Sequence, residues 1–174
     1  MNIFQCAFLI FLFFSTCSCQ DGIDSDFSFS VNDGLDKTLI NEIIDSWHRA
    51  ASDSDSIAYF GTMASDESVF QGTDDGERWT KTEFQEWSRK YFQTESAWTF
   101  VPLKGRNVTI NGNIAWFDEK LDSDHMGRCR GNGVLVKDGK TWKIANYSLS
   151  FAVPNVVAND IIQTIKNSND LILD

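Results

Sequence analysis

The sequence predicts an α+β domain in which helices come first and a meander of antiparallel strands follows. Three observations predict it. Apolar residues recur at helical spacing between Leu39 and Met63, Thr80 and Glu83 form a capping box, and after Thr94 the pattern changes to period two with hairpin turns at Asn111-Gly112 and Asp138-Gly139. Helices followed by strands, rather than the two in alternation, are the mark of this class.

Each element has its own signal. Leu39, Ile40, Ile43, Ile44, Trp47, Ala50 and Ala51 make a first amphipathic helix ending near Ser52. Ser54 or Asp55 can cap a short second helix carrying Ile57, Tyr59, Phe60 and Met63. Val69 to Gln71 reads as a strand broken by the turn Asp74-Asp75-Gly76. The Thr80 capping box opens a third helix with Phe84, Trp87 and Tyr91 on one face. Trp98–Val101, Asn107–Ile110, Ile114–Leu121, Arg128–Val136 and Trp142–Phe151 then read as strands. Past Pro154, Val157, Ile161, Ile162 and Ile165 mark a final amphipathic segment, residues 156–174.

The N-terminus reads as an address. Residues 1–19 hold an almost wholly apolar run from Ile3 to Phe14, then small residues through Cys19, the shape of an export signal and too short to span a bilayer core of about 30 Å. A cysteine directly after such a run resembles the lipobox of bacterial lipoproteins, with Cys19 and Cys17 as lipidation candidates; the alternative is an ordinary cleaved secretory signal. Residues 20–34, Asp-rich and without a basic side chain, read as an acidic tether. Cys129 is the one cysteine beyond the leader, so no disulfide can form inside the domain of residues 35–155. A net charge of −10 argues against a phosphate backbone as partner, so no nucleic acid is expected and the membrane enters only through a lipid anchor.

Trp47, His48, Ala50 and Ala51, then Tyr59 and Phe60, then Val69, Phe70, Gly72, Thr73, Asp74, Glu77 and Trp79 resemble the opening half of a SnoaL-like protein. Arg106 to Val108, Ala115 to Glu119, Arg130, Gly131, Gly133 to Leu135, Trp142 to Ile144, Tyr147, Leu149 and Ser150 resemble its second half. The resemblance implies the cystatin-like cone of the nuclear transport factor two superfamily, with N-terminal helices packed on a strongly curved, mainly antiparallel sheet. This superfamily hosts isomerases, dehydratases, cyclases, binding proteins and assembly modules, so the fold names no reaction. Aligned with its ketosteroid isomerases, the chain has Gln71 at the general base, Trp47 at the oxyanion-donating Tyr and Gly131 at the protonated Asp, so that chemistry is not expected.

The same alignment turns Trp47, Gln71, Gly131, Gly133, Tyr147 and Leu149 inward. A weaker match to the calcium/calmodulin-dependent kinase association domain turns Trp116 and Asp118 inward. The expected ligand-binding residues are thus Trp47, Gln71, Trp87, Trp116, Asp118 and Tyr147, lining a pocket for a small, partly apolar molecule without an essential cofactor. One alternative is that Trp47, Trp87 and Trp116 simply pack together as core; the alternative function is a cofactor-independent isomerase, dehydratase or hydrolase, with Asp118 as acid or base and Tyr147 as donor. Glu119 is read as a surface or salt-bridge residue paired with Arg128 or Arg130, and His48 as a hydrogen-bonded packing residue. Asp122, Asp124 and His125 lack the further ligands that a metal site needs. The superfamily's habit of pairing through the outer sheet face implies a homodimer through Phe117, Leu121, Trp142 and Ile144.

Overall fold

The computed structural model describes residues 31–172, so the leader, Cys17, Cys19 and residues 20–30 of the tether lie outside the described residues. The elements run α1 (Val31–Ser52), α2 (Ser56–Gly61), β1 (Val69–Gln71), β2 (Arg78–Thr80), α3 (Lys81–Ser88), β3 (Val101–Pro102), β4 (Asn107–Asn111), β5 (Ile114–Ser123), β6 (Gly127–Asp138), β7 (Thr141–Phe151) and α4 (Ala158–Ile172). The seven strands form one mixed, curved, unclosed sheet in the order β2-β1-β7-β6-β5-β3, with β4 also paired to β5. β1 and β7 run parallel, and the remaining named pairs are antiparallel.

α1 and α2 lay Ile40, Ile44, Trp47, Ala51, Tyr59 and Phe60 against Phe117, Leu135, Trp142, Ile144 and Tyr147 of the sheet in one continuous core. An α+β cone is therefore what the chain forms. The α2 cap is Asp55, whose carboxylate accepts from the Ala58 amide at 2.9 Å. α3 carries the full capping box, with the Thr80 amide donating to Glu83 at 2.8 Å and the Glu83 amide to Thr80 Oγ1 at 3.4 Å.

Several sequence expectations change. α1 starts at Val31, inside the segment read as tether, because Asp36 has partners in the sheet: Lys137 Nζ donates to it at 2.8 Å and Trp142 Nε1 at 3.0 Å. β2 pairs with β1 across the Asp74–Gly76 turn, whereas the strand expected at Trp98–Val101 contracts to Val101–Pro102.

The register of β5 is the reverse of the expected one. Ala115, Phe117, Glu119, Leu121 and Ser123 face the core, while Trp116, 44% exposed, and Asp118 lie on the outer face. Adjacent Trp116 and Phe117 leave period two undecided, and a slip by one residue turns every side chain over. In β7 strict alternation fails at a bulge: Val134 pairs with Asn146 and Leu135 with Ile144, leaving Ala145 as the extra residue. Trp142 and Ile144 therefore point inward together with Tyr147 and Leu149. The row Phe117, Leu121, Trp142 and Ile144 is thus core and offers no outer dimer face. The exposed apolar side chains of the outer face instead include Val101, Ile114 and Trp116. α4 forms as expected, yet Ile161, Ile162 and Ile165 stay exposed.

Asp36 ties the first turns of α1 to the far end of β7, and its carboxyl is held below its ordinary range, chiefly by the Lys137 hydrogen bond. Asp36→Ala removes two side-chain hydrogen bonds and leaves the Trp142 indole N–H unpaired, which should cost about 1–3 kcal/mol. Urea unfolding of the variant against the parent chain measures it.

Candidate functional site

Beneath the helices, the concave side of the sheet holds a buried carboxylate. Glu119 is 1% exposed, and both of its oxygens are saturated. Oε1 accepts from His48 Nε2 at 2.8 Å and from the Tyr147 hydroxyl at 3.2 Å. Oε2 accepts from Arg106 Nε at 3.0 Å and Nη2 at 2.8 Å. The rest of the Arg106 fork donates to α1, reaching Asn41 Oδ1 at 3.0 Å and Asp45 Oδ1 at 2.7 Å.

Burial alone would push the Glu119 carboxyl up, but the hydrogen bond and field of His48, with those of Arg106, outweigh it and hold the group below its ordinary value. Burial, then the Glu119 charge, drives the Tyr147 phenol well above its ordinary value, so it remains a donor. Gly131 makes room for this cluster: a methyl group there would overlap the Tyr147 hydroxyl and come within 2.8 Å of Glu119 Oε1.

At the mouth of the cone, a cleft of about 340 Å³ opens above this layer. The β1–β2 hairpin gives it Phe70, Thr73, Glu77 and Trp79, α3 gives Phe84 and Trp87, and the following segment gives Tyr91, Trp98 and Phe100. His125 and Met126, in the β5–β6 turn, and Leu149 close the opposite side. The capping box positions α3 directly after β2, which brings the Trp79 and Trp87 rings to 4.8 Å and the Phe84 and Trp87 rings to 5.7 Å. Gly72 lets the Glu77 carboxylate fold back under the hairpin, where it accepts from the Thr73 amide at 2.9 Å and the Asp74 amide at 3.2 Å. A larger groove of about 550 Å³ between α2 and α3 is lined mainly by polar side chains, with Phe60 and Phe92 its aromatic ones, and is less suited to an apolar guest.

Of the residues expected in the pocket, Trp87 lines the cleft, 39% exposed. Trp47 and Tyr147 point inward as expected but lie beneath the floor, buried, their rings 4.7 Å apart. Gln71 shares the outer face with its register partner Ser148 and does not enter the cone, because Phe70 takes the inward position of the short β1. Trp116 is on the outer face, and there Asp118 accepts from Asn107 Nδ2 at 3.0 Å. The Glu119 partner is Arg106, whereas Arg128 sits 3.7 Å from Asp122. Sequence reasoning missed Trp79, Trp98, Phe100 and Met126 as lining residues. The Asp74–Gly76 turn signal could have found the hairpin that presents Trp79. Among the described residues no three metal-ligating side chains gather.

The Glu119 cluster makes two predictions. Because its folded pKa lies below the ordinary 4.5, the stability it contributes is present above that pH and is lost as pH falls through the folded value. Thermal midpoints should therefore fall more steeply below about pH 4.5 in the parent chain than in Glu119→Gln, which should itself lose about 3 kcal/mol at pH 7 by removing the buried charge that Arg106 and His48 share, only the half-exposed Asp45 then remaining to Arg106. Gly131→Ala should cost about 1–3 kcal/mol by overpacking, and less in a Tyr147→Phe background that removes the overlapped hydroxyl. A double-mutant cycle by denaturant unfolding reads the difference.

The fold recurs among solved structures. An NTF2-like protein of unknown function from Pseudomonas putida KT2440 is 15% identical, with 70% of this chain and 90% of that one covered at a TM-score of 0.57. A protein of unknown function with a cystatin-like fold from Nostoc punctiforme is 15% identical over 68% of this chain and 92% of that one, at 0.56. A ketosteroid-isomerase-like protein from Parabacteroides distasonis is 18% identical over 66% and 86%, at 0.52. At these identities the likeness is one of fold. No curated protein matches the sequence. The family model of the SnoaL-like domain matches residues 40–154, a span that holds α2, α3, all seven strands and most of α1. The chain therefore belongs to the SnoaL-like domain family.

Proposed function

We propose that this chain is an exported, lipid-anchored domain that binds a small, partly apolar, ring-bearing molecule in the cleft at the mouth of its cone. One observation carries the binding role. Seven aromatic side chains, together with Met126 and Leu149, surround about 340 Å³ of open space, within the size range of small-molecule sites and with few polar groups. The apolar leader with Cys17 and Cys19 supports the export role, and mass spectrometry of the mature N-terminus tests it: a lipid mass on Cys19 or Cys17 is expected. Pairing of two copies through the outer face around Ile114 and Trp116 belongs to the same proposal.

The enzymatic alternative has weaker support. A general acid or base needs a free oxygen or nitrogen within reach of the reacting proton. Each oxygen of Glu119 already accepts from two donors, and Asp118 faces away from the cleft. The titratable side chains lining the cleft are Glu77, His125 and Tyr91, and the Glu77 carboxylate is engaged by two backbone amides. Binding without turnover is the reading that the cleft supports better.

The test is a thermal-shift and tryptophan-fluorescence screen of small ring compounds, followed by titration of the best. Trp87→Ala should weaken binding about tenfold or more, because alanine removes a partly exposed stacking surface while leaving the core intact. Trp116→Ala and Asp118→Asn should leave affinity unchanged. Affinity that survives Trp87→Ala and Trp98→Ala but falls with Trp116→Ala would move the site to the outer face.

A further inference from the structure

The charges around the cleft point to the class of its ligand. No Lys or Arg lines it among the described residues, and Glu77 is its one carboxylate. The exposed Asp74 and Asp75 continue the hairpin lip beside Glu77, and the exposed Asp124 adjoins His125 on the opposite lip. The walls meanwhile are aromatic rings packed on one another, with Trp87 and Tyr91 centred 5.1 Å apart and Phe84 and Trp98 5.8 Å apart, and Trp87 is the ring left 39% exposed. An aromatic face carries negative potential, and an ammonium held against several such faces is attracted without needing a hydrogen bond. The protein already makes this contact in miniature, since Lys90 Nζ lies over the Tyr91 ring at 4.8 Å.

From this we infer that the cleft selects an organic cation, a quaternary or alkylated ammonium group carried on a small apolar body. The inference rests on the cleft reading proposed above and narrows it. A neutral ring compound would gain from burial alone, whereas a cation gains in addition from the ring faces and from Glu77 with the acidic lips. An anion would meet Glu77, Asp74, Asp75 and Asp124, with Lys90, over the Tyr91 ring but not itself on the lining, as a single cation set against these four carboxylates. The net charge of −10 over the whole chain further raises the concentration of cations near it.

Choline and 3,3-dimethylbutan-1-ol test this, because they share a shape and differ by the nitrogen that carries the charge. Calorimetric titration of the full chain at pH 8 should give choline roughly tenfold tighter binding than the alcohol. Trp87→Ala should abolish the preference. Glu77→Gln, which keeps an oxygen for the two amides, should reduce it about threefold, as should added salt. Asp75→Asn, at an exposed position, should reduce it more weakly and guards against a folding defect at Glu77. Equal or tighter binding of the alcohol, with Trp87→Ala still weakening it, would overturn the cation inference and leave the small-molecule reading intact. Absence of binding by both probes would overturn the inference as well, and the ring-compound screen would then decide the broader reading by itself.

Discussion

The buried Glu119 carboxylate is the constraint around which the domain is assembled. A lone carboxylate inside a core would be protonated or would unfold its surroundings, so its burial demands partners from several elements at once. They come from His48 on α1, Arg106 ahead of β4, and Tyr147 on β7. Arg106 then returns to α1 through Asn41 and Asp45. One charge thus fixes the angle of the long helix to the sheet. It also explains Gly131, since a side chain on the neighbouring strand would occupy the space in which Tyr147 reaches Glu119. Such a saturated network contributes little net free energy compared with a well-packed apolar alternative, but losing any one member is costly. It specifies an arrangement more than it strengthens one.

The cleft follows from that arrangement. Phe100 packs 6.5 Å from His48, and Phe70 packs 5.7 Å from Tyr147, so the floor of the cleft stands directly on the polar cluster. Phe70 stacks on Phe84 at 4.0 Å, which carries the same constraint into α3 and on to Trp87. The rings at the mouth are therefore held by a base that cannot slide without unpairing a buried charge. Rings preset in this way lose little freedom when a guest arrives, and that economy favours binding.

Much of this was legible in the sequence, and the parts that were not have physical reasons. Helical spacing, the Thr80–Glu83 capping box and the two hairpin turns predict the helices and the long strands because these signals are local. The β5 register is not local. Trp116 and Phe117 are both credible core residues, and choosing between them requires knowing that Glu119 would find Arg106, His48 and Tyr147 waiting inside. The Ala145 bulge hides for the same reason, since alternation read from Tyr147 and Leu149 puts Trp142 and Ile144 outside unless the extra residue is known. Acidic composition suggested a solvated tether up to residue 34, yet α1 begins at Val31 and is tied down by Asp36, a partner of Lys137 and Trp142 about a hundred residues away in sequence. Trp87 was found because its helix was well marked. Trp79 and Trp98 were missed because a three-residue strand and an irregular segment present them.

The filling of the inner cone also accounts for the departures from the isomerase pattern. The position of the oxyanion donor in those relatives is here Trp47, which stacks on Tyr59 with ring centres 4.7 Å apart. Gly131 takes the place of their protonated Asp, and the volume in front of it is occupied by Tyr147. Gln71 takes the place of their base and turns to the outer face. A substrate could not reach Trp47 or the space before Gly131 without displacing the core, and Gln71 faces away from the cone. The space open to a guest lies instead at the hairpin, α3 and the Met126 turn. There the lining supplies indoles, a thioether, the His125 imidazole, the Tyr91 phenol and a carboxylate bound by backbone amides, set on a base that the buried Glu119 cluster holds in place.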